Sequence, residues 1–270
     1  MGRYLGQHFL HDRNIISKII KAAQLSPQDR VLEIGPGRGA ITKQLLELAG
    51  SVTAIELDQK LAQALSALPK LRLIKADILD IDLPALLSSD ASETPAPPHS
   101  WKVVANLPYY ITTPILEKLL CSGSDRLGSL VLMIQKEVAE RIAAIATRQT
   151  GALSYFVNYY AETEYLFTVK PGCFAPPPQV DSAVIRLTIR RQPPVSAPPE
   201  QLFRVIRTAF QERRKTLRRS LLKLPAQLNQ QQWESVWNSM SIDSQRRPET
   251  LTLQDFSDLA EAINKAAANT

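Results

Sequence analysis

The chain has 270 residues, 44% of them hydrophobic and 21% charged, a balance typical of a globular protein with one large domain or a large and a small one. Its 32 basic and 26 acidic residues give a formal charge of +6, which favours a polyanionic partner. Two cysteines, Cys121 and Cys173, exclude a disulfide framework and a cysteine metal cluster, and no apolar run reaches membrane-spanning length. We therefore expect a cytosolic protein with no membrane span and no metal.

The N-terminal segment, residues 1–12, is too irregular for a helix. Asp12 or Asn14 is placed to cap an amphipathic helix that follows, because isoleucines recur at helical spacing from Ile15. Gln7 and His8, taken by themselves, are typical of a solvated loop.

A glycine-rich turn then separates a strand from a helix. Residues 31–35 form an apolar run, and the helical pattern of 41–48 begins shortly after Gly37 and Ala40. Glycine lets the backbone approach a ligand closely, and a helix N-terminus offers unpaired N–H groups. The spacing predicts a nucleotide-type loop, and Gly35-x-Gly37-x-x-Ala40 also fits the dinucleotide fingerprint of dehydrogenases.

Acidic residues end the next two predicted strands, 52–58 and 71–78. Glu56 lies about 20 residues past the glycines, where a carboxylate can accept hydrogen bonds from both hydroxyls of a ribose. Asp58 is suited to cap the following helix, and Asp77 could meet an adenine amine. Because the carboxyl ends of parallel strands meet at one edge of a sheet, we expect Gly35, Glu56 and Asp77 to share one crevice.

The fourth strand, 101–105, leads into Asn106-Leu107-Pro108-Tyr109-Tyr110 after a polar, proline-rich surface loop at 88–100. The Asn106 side-chain oxygen and the Leu107 carbonyl can both accept hydrogen bonds from one exocyclic amine, and the ring of Tyr109 can stack on the heterocycle that carries it. An ordinary turn at the end of a strand is the alternative interpretation.

Beyond this stretch the pattern predicts a helix from Thr113, a strand at 129–134, a helix at 137–145, and strands at 153–160, 164–169 and 182–189. Prolines between the last two strands stiffen the loop that carries Phe174. Phe174 is therefore either core or a second stacking wall for a flipped base.

Residues 191–200 form a proline-rich linker, which predicts a Rossmann-like α/β domain at 1–190 and a small all-α domain at 201–270. In the latter, Phe203, Ile206, Phe210, Leu217 and Leu221 fall on one helix face and arginines on another. The dense run Arg213, Arg214, Lys215 and Arg218 favours phosphate contacts, although such a run can also be a solvated face.

Together these residues resemble the small-subunit ribosomal RNA adenine N6,N6-dimethyltransferases over nearly the whole chain. The matching motifs are Gln7–Leu10, Glu33–Gly37, Glu56–Asp58, Ala76-Asp77, Asn106–Tyr110, Phe174-x-Pro176-Pro177 and Arg213–Arg218.

The resemblance implies a class I methyltransferase fold with S-adenosylmethionine as cofactor. His8 and Leu10 would close over the cofactor, Gly35 and Gly37 would border its methionine part, Glu56 would hold its ribose and Asp77 its adenine. Asn106 would touch both cofactor and substrate. Many members have Asn where this chain has His8.

The implied reaction is dimethylation of two adjacent adenosines in the 3′-terminal hairpin loop of 16S rRNA. The implied partner is an immature small subunit, with a further role as an assembly checkpoint, and we expect a monomer. Methylation of large-subunit rRNA, an NAD-dependent dehydrogenase and a non-enzymatic assembly factor are the alternatives.

Overall fold

The structure is a computed structural model that describes residues 7–88, 100–212, 214–224 and 228–268. The chain divides into two compact units, the first made of residues 1–139 and 160–191 and the second of 140–159 and 192–270. Within the described residues no helix is both long enough and apolar enough to span a bilayer.

The first unit is built on a seven-stranded sheet in the order β4-β3-β2-β5-β6-β9-β7. The strands from β4 to β6 are parallel, whereas β9 and β7 are antiparallel to their neighbours. The strands are β2 (Arg30–Ile34), β3 (Ser51–Glu56), β4 (Leu71–Lys75), β5 (Trp101–Asn106), β6 (Leu127–Gln135), β7 (Ala161–Val169) and β9 (Ser182–Ile189). The expected Rossmann-like α/β fold is confirmed.

Helices connect the parallel strands, as parallel pairing requires. They are α2 (Thr42–Leu48), α3 (Gln59–Leu65), α4 (Leu83–Ser88) and α5 (Thr112–Gly123), whereas α1 (Arg13–Ala23) precedes β2 and α6 (Lys136–Ala143) follows β6. The Asp12 carboxylate caps α1 by accepting from the N–H groups of Asn14 and Ile15, and Asp58 caps α3. Both caps follow from the sequence, because Asp before an apolar helical run satisfies N–H groups of the first turn that lack a partner within the helix.

The central strands are apolar because helices cover both faces of the sheet. Val31, Leu32, Val103 and Val104 are fully buried. An ionisable residue in such a strand is therefore unusual, and Glu33 is one.

A second, two-stranded sheet pairs β1 (Phe9–Leu10) with β8 (Phe174–Ala175). The pairs are Phe9 with Ala175 and Leu10 with Phe174. The sequence predicted neither strand, because two-residue strands leave no periodic signal. This pairing fixes the N-terminal segment to the loop between β7 and β9 that carries Phe174.

The described part of the second unit contains helices and no strand. They are the part of α6 from residue 140 onwards, α7 (Ala152–Tyr160), whose last residue belongs to the first unit, α8 (Pro199–Ala209), α9 (Leu217–Leu221), α10 (Gln230–Ser239) and α11 (Leu253–Ala268). Its core includes Tyr155, with a ring 4.9 Å from Phe256 and a hydroxyl that donates to the Leu251 carbonyl at 2.6 Å.

The strand predicted at 153–160 is wrong, since these residues form α7. Their aromatic and β-branched composition favours a strand locally. Tyr155 and Tyr159, however, lie one helical turn apart, and Tyr159 contacts Phe203 while Tyr155 contacts Phe256. Packing within the second unit thus overrides local preference.

All of the proline-rich segment at 191–200 except its first residue already belongs to the second unit, and α8 begins within the segment at Pro199. Residues 140–159 also belong to this unit, although they precede the segment in sequence. The assignment of separate catalytic and RNA-binding domains stays a prediction. Most of the expected surface loop, residues 89–99, lies outside the described residues.

Candidate active site

A cavity of about 240 Å³ opens at the carboxyl ends of β2, β3, β4 and β5. Parallel α/β sheets bind ligands at this edge. Nearly all residues predicted for cofactor and substrate line it, namely His8, Leu10, Gly35, Gly37, Glu56, Asp77, Asn106, Leu107 and Tyr109.

The glycine loop lines the cavity in a conformation that side chains disfavour. Gly35 and Gly37 have φ of +67° and +58°, in the left-handed region. A Cβ on Gly37 would also lie 3.2 Å from the Phe9 ring, closer than ordinary van der Waals contact. The loop therefore needs glycine at position 37 both for its backbone and for contact with the N-terminal strand.

Glu56 ends β3 with its carboxylate held by backbone groups. One oxygen accepts from the Gly37 N–H at 3.0 Å, and the other accepts from the Asp58 N–H at 2.9 Å. The residue is only 3% exposed and lines the cavity. Each carboxylate oxygen has a further lone pair, so Glu56 can still accept from a diol.

Glu33, two residues before the glycine loop, is a buried ionisable residue near the site, and the sequence pattern assigned it no role of its own. It is 2% exposed, and its Oε2 has no hydrogen-bond partner. Burial raises the pKa of its carboxyl to about 8, and the nearby Glu56 carboxylate acts in the same direction. The signal available was a single acidic residue inside an apolar strand.

Asp77 lines the cavity just after β4 and also caps a short 3₁₀ helix, Ile78–Asp80, by accepting from the Leu79 N–H at 2.9 Å. One carboxylate oxygen is thus used to fix the side chain. The other oxygen can accept from a ligand amine.

Asn106 ends β5, and its Nδ2 donates to the backbone carbonyl of His8 at 3.3 Å. The amide orientation is therefore set by the N-terminal segment, and Oδ1 is the end that can accept from a substrate. The His8 ring is itself fixed, since its Nδ1 lies 2.8 Å from the Pro176 carbonyl oxygen. Leu107 is buried, and its N–H donates to the Met133 carbonyl at 3.0 Å.

Tyr109 begins a 3₁₀ turn, Tyr109–Ile111, at the same cavity. Its hydroxyl lies 2.6 Å from the Ser182 Oγ, and its ring centroid lies 6.1 Å from that of His8. Burial raises the pKa of this phenol, so it is neutral near pH 7. The hydroxyl contact holds the ring in one orientation.

Phe174 does not line the cavity. It is 3% exposed and packs in the hydrophobic core with Leu10 and residues of α1. The sequence allowed Phe174 to be either a core residue or a stacking wall for the base, and in this structure it is a core residue. A stacking role requires the Phe174 ring to leave this core, and so a change at the β1–β8 pair that holds Leu10 beside it.

The helical pattern predicted that the basic run lies on one continuous helix. The structure shows otherwise. Helix α8 ends at Ala209 and α9 begins at Leu217, so Arg214 and Lys215 lie exposed in the turn between them. Arg218 is on α9 and pairs with Glu234. Arg213 lies outside the described residues.

The family model described as ribosomal RNA adenine dimethylase matches residues 2–261. The chain belongs to this family. The ribosomal RNA small subunit methyltransferase A of Geobacillus thermodenitrificans is 45% identical over 96% of this chain and 89% of its own length. The protein of the same description from Clostridium acetobutylicum is 42% identical over 96% and 92%.

Two solved structures share the fold along the chain. A dimethyladenosine transferase from Plasmodium falciparum has a TM-score of 0.75 at 24% identity, covering 96% of this chain and 98% of its own. The 23S rRNA methyltransferase ErmE has a TM-score of 0.69 at 26% identity, covering 95% and 99%.

Family membership confirms the resemblance seen in the sequence and rules out the NAD-dependent dehydrogenase. The protein is an rRNA adenine methyltransferase that depends on S-adenosylmethionine. The cavity suits this cofactor. The glycine loop at Gly35 and Gly37 leaves room for a ligand close to the backbone, and two carboxylates, Glu56 and Asp77, line the same cavity from the ends of the adjacent strands β3 and β4. Within the described residues no cluster of three or more metal-binding side chains occurs.

Proposed function

We propose that this chain methylates N6 of two adjacent adenosines in the 3′-terminal hairpin loop of 16S rRNA, giving N6,N6-dimethyladenosine. The observation that carries the proposal is the Asn106 amide. Its donor end is bound to the His8 carbonyl, and its oxygen end is left for a substrate at the cavity that the glycine loop lines.

Each cofactor-binding residue contacts the part of S-adenosylmethionine that its chemistry suits. Glu56 accepts from the ribose hydroxyls, Asp77 accepts from the adenine amine, and the backbone at Gly35 and Gly37 borders the methionine part. His8 and Leu10 close over these groups from the N-terminal strand. When bound, S-adenosylmethionine supplies an electrophilic methyl group on a sulfonium.

The catalytic residues act on the target amine. The N6 lone pair of adenine is delocalised into the ring, which makes the amine a poor nucleophile. Asn106 Oδ1 and the Leu107 carbonyl accept its two hydrogens and favour tetrahedral geometry, so the lone pair points towards the methyl group. Reacting atoms need to lie within about 3–3.5 Å, so positioning does much of the catalysis. The proton becomes acidic on transfer and leaves afterwards without a strong base.

Tyr109 forms one wall of the base site, with its ring oriented through Ser182. Stacking on an aromatic ring contributes about 1–3 kcal/mol per base. Phe174 forms the opposite wall once β1 shifts on substrate binding. The target base is unpaired or flipped, because an A-form helix hides its base edges.

The basic residues of the second unit bind phosphates of the RNA. Arg214 and Lys215 are exposed and available, and Arg213 continues their run. Arg218 exchanges Glu234 for a phosphate, and an exposed ion pair of this kind costs little to break.

Three observations support the small subunit rather than the large one as the substrate. Relatives at 42–45% identity are described as small subunit methyltransferases, whereas ErmE, described as acting on 23S rRNA, is 26% identical. The third is that the run Asn106–Tyr110, followed by Ile-Thr-Thr-Pro, resembles the small-subunit group more than the large-subunit relatives. The natural substrate is an immature small subunit, which the protein binds as a monomer in the cytoplasm, and its release after methylation serves as an assembly checkpoint.

The test is to incubate the purified protein with labelled S-adenosylmethionine and unmethylated small or large subunits, and then to map the modified bases. We expect label on two adjacent adenosines of the small subunit. Label on the large subunit alone would overturn the choice of substrate, and label at a nitrogen other than N6 would overturn the roles given to Asn106 and Leu107.

A further inference from the structure

Tyr109 and Tyr110 are neighbours in sequence but have different surroundings. In a 3₁₀ turn consecutive side chains point about 120° apart, so the two rings cannot belong to one base sandwich. Tyr109 is half-buried and bonded to Ser182, whereas Tyr110 is 63% exposed. Both nevertheless line the cavity, which places the Tyr110 ring at its mouth.

The backbone under Tyr110 is fixed. The Pro108 carbonyl accepts from the Ile111 N–H at 3.2 Å and from the Thr112 hydroxyl at 3.1 Å, and α5 begins at Thr112. A ring on a fixed backbone has only two side-chain torsions to order on binding. It therefore offers a large contact area at low entropic cost.

Exposure of a large apolar side chain is uncommon in this protein. Among the described residues five such side chains are exposed, and Tyr110 is the one aromatic residue of the five; the others are Leu48, Leu57, Val180 and Leu222. A rigid, exposed aromatic ring at the mouth of a substrate cavity has the features of a stacking platform.

We propose that Tyr110 forms a second base-binding subsite, which stacks on the nucleotide adjacent to the adenosine in the cavity. The inference rests on the proposed function, since only a polynucleotide brings a neighbouring base to the mouth. A stacking face accepts any base, because every base has a π-face. With two adjacent targets, the subsite holds one adenosine while the other reacts.

The experiment measures methylation of unmethylated small subunits by the full-length chain. Tyr110→Ala should raise KM about 5- to 150-fold, the range that stacking of one base implies, with little change in kcat. Tyr110→Phe keeps the ring and should behave as the wild type does, and so should Leu48→Ala, which removes an exposed apolar side chain away from the cavity. The Kd for S-adenosylmethionine, measured by calorimetry, should not change with any of the three.

A second substrate identifies the contact. In it the neighbouring adenosine of the subunit is changed to uridine, which stacks weakly. The wild type should then lose affinity, and Tyr110→Ala should lose no more than it has lost already. If the two losses multiply, Tyr110 contacts something else, such as a ribosomal protein, and the subsite is wrong. A changed cofactor Kd would also overturn it. If the wild type fails to methylate small subunits at all, the proposed function fails instead.

Discussion

The two ends of the cavity are built in different ways. The cofactor end consists of backbone and carboxylates at the ends of adjacent parallel strands, with Glu56 bonded to the N–H groups of Gly37 and Asp58. The target end consists of side chains fixed by partners far away in sequence. Asn106 is bonded to His8, Tyr109 to Ser182, and Phe174 lies in a strand paired with Leu10.

This difference separates what is fixed by the fold from what can move. The cofactor end shares its hydrogen bonds with the main sheet, so it is as rigid as that sheet. At the target end Asn106 and the Ser182 partner of Tyr109 also lie on the main sheet, in β5 and β9, and only the contacts with His8 and Phe174 depend on the N-terminal segment and its two-residue strand. We therefore expect substitutions at the target end to change turnover and RNA affinity, in addition to the cost in stability where the side chain is buried, and substitutions at the cofactor end to change cofactor affinity and stability.

Phe174 offers the largest test of this comparison. If the ring is core, Phe174→Ala should lower the free energy of unfolding by about 3–5 kcal/mol, the usual cost of removing a buried aromatic ring. Phe174→Leu should cost less, since it leaves a smaller cavity. Urea denaturation measures both. A Phe174→Ala variant that keeps its stability but loses methylation would show that the ring acts chiefly as a stacking wall.

Asn106→Ala tests the target end directly. Turnover on small subunits should fall about 10²–10³-fold, the scale for losing one aimed hydrogen-bonding group. The variant should still bind S-adenosylmethionine, because the glycine loop and Glu56 remain. Asn238→Ala, on the exposed face of α10, is the matched control and should keep wild-type turnover. Normal turnover of Asn106→Ala together with normal cofactor affinity would discard the role of the amide.

The same division explains what could be predicted from the sequence. Strand ends at Gly35, Glu56, Asp77 and Asn106 were recognisable from local periodicity, and parallel topology alone brings them to one edge. The α/β fold followed from the same pattern, although one of the eight predicted strands, 153–160, is a helix. Their roles in catalysis stay proposals.

The features that were missed depend on tertiary contacts. The pairing of β1 with β8 joins residues more than 160 positions apart and leaves no local signal. Helix α7 has the composition of a strand and is helical because its tyrosines pack on other helices. Arg214 and Lys215 lie in a turn, whereas the spacing of their apolar neighbours suggested one continuous helix.

Glu33 lies in β2 just before the glycine loop, and it tests the strand that supports the cofactor end through the pH dependence of the free energy of unfolding. The raised pKa, about 8 against an ordinary 4.5, means that the native state keeps a proton which the unfolded chain has lost. Above about pH 4.5 the native state is therefore increasingly disfavoured, by up to about 1.4 kcal/mol per pH unit, until the folded pKa near 8 is passed.

Glu33→Gln removes this titration. Its stability relative to the wild type should rise between pH 5 and pH 8 by an amount on the order of a few kcal/mol, measured by urea denaturation of the cofactor-free protein at each pH. Glu47→Gln, at an exposed position on α2, is the control and should run parallel to the wild type. A Glu33→Gln variant that also runs parallel would mean that the carboxyl is ionised in the native state.

Ser182→Ala has the smallest expected effect, and it tests whether Ser182 orients the Tyr109 ring at the target end. Ser182 is fully buried, and its Oγ lies 2.6 Å from the Tyr109 hydroxyl. Loss of this hydrogen bond should cost about 1 kcal/mol of stability and raise the KM for small subunits a few-fold, because the ring is freed to rotate. Tyr109→Phe removes the same bond from the other side and keeps the stacking face. The double variant should therefore be no worse than either single variant, since both remove one interaction. If the effects on KM add in free energy instead, the two hydroxyls act separately, and stacking at Tyr109 does not depend on Ser182.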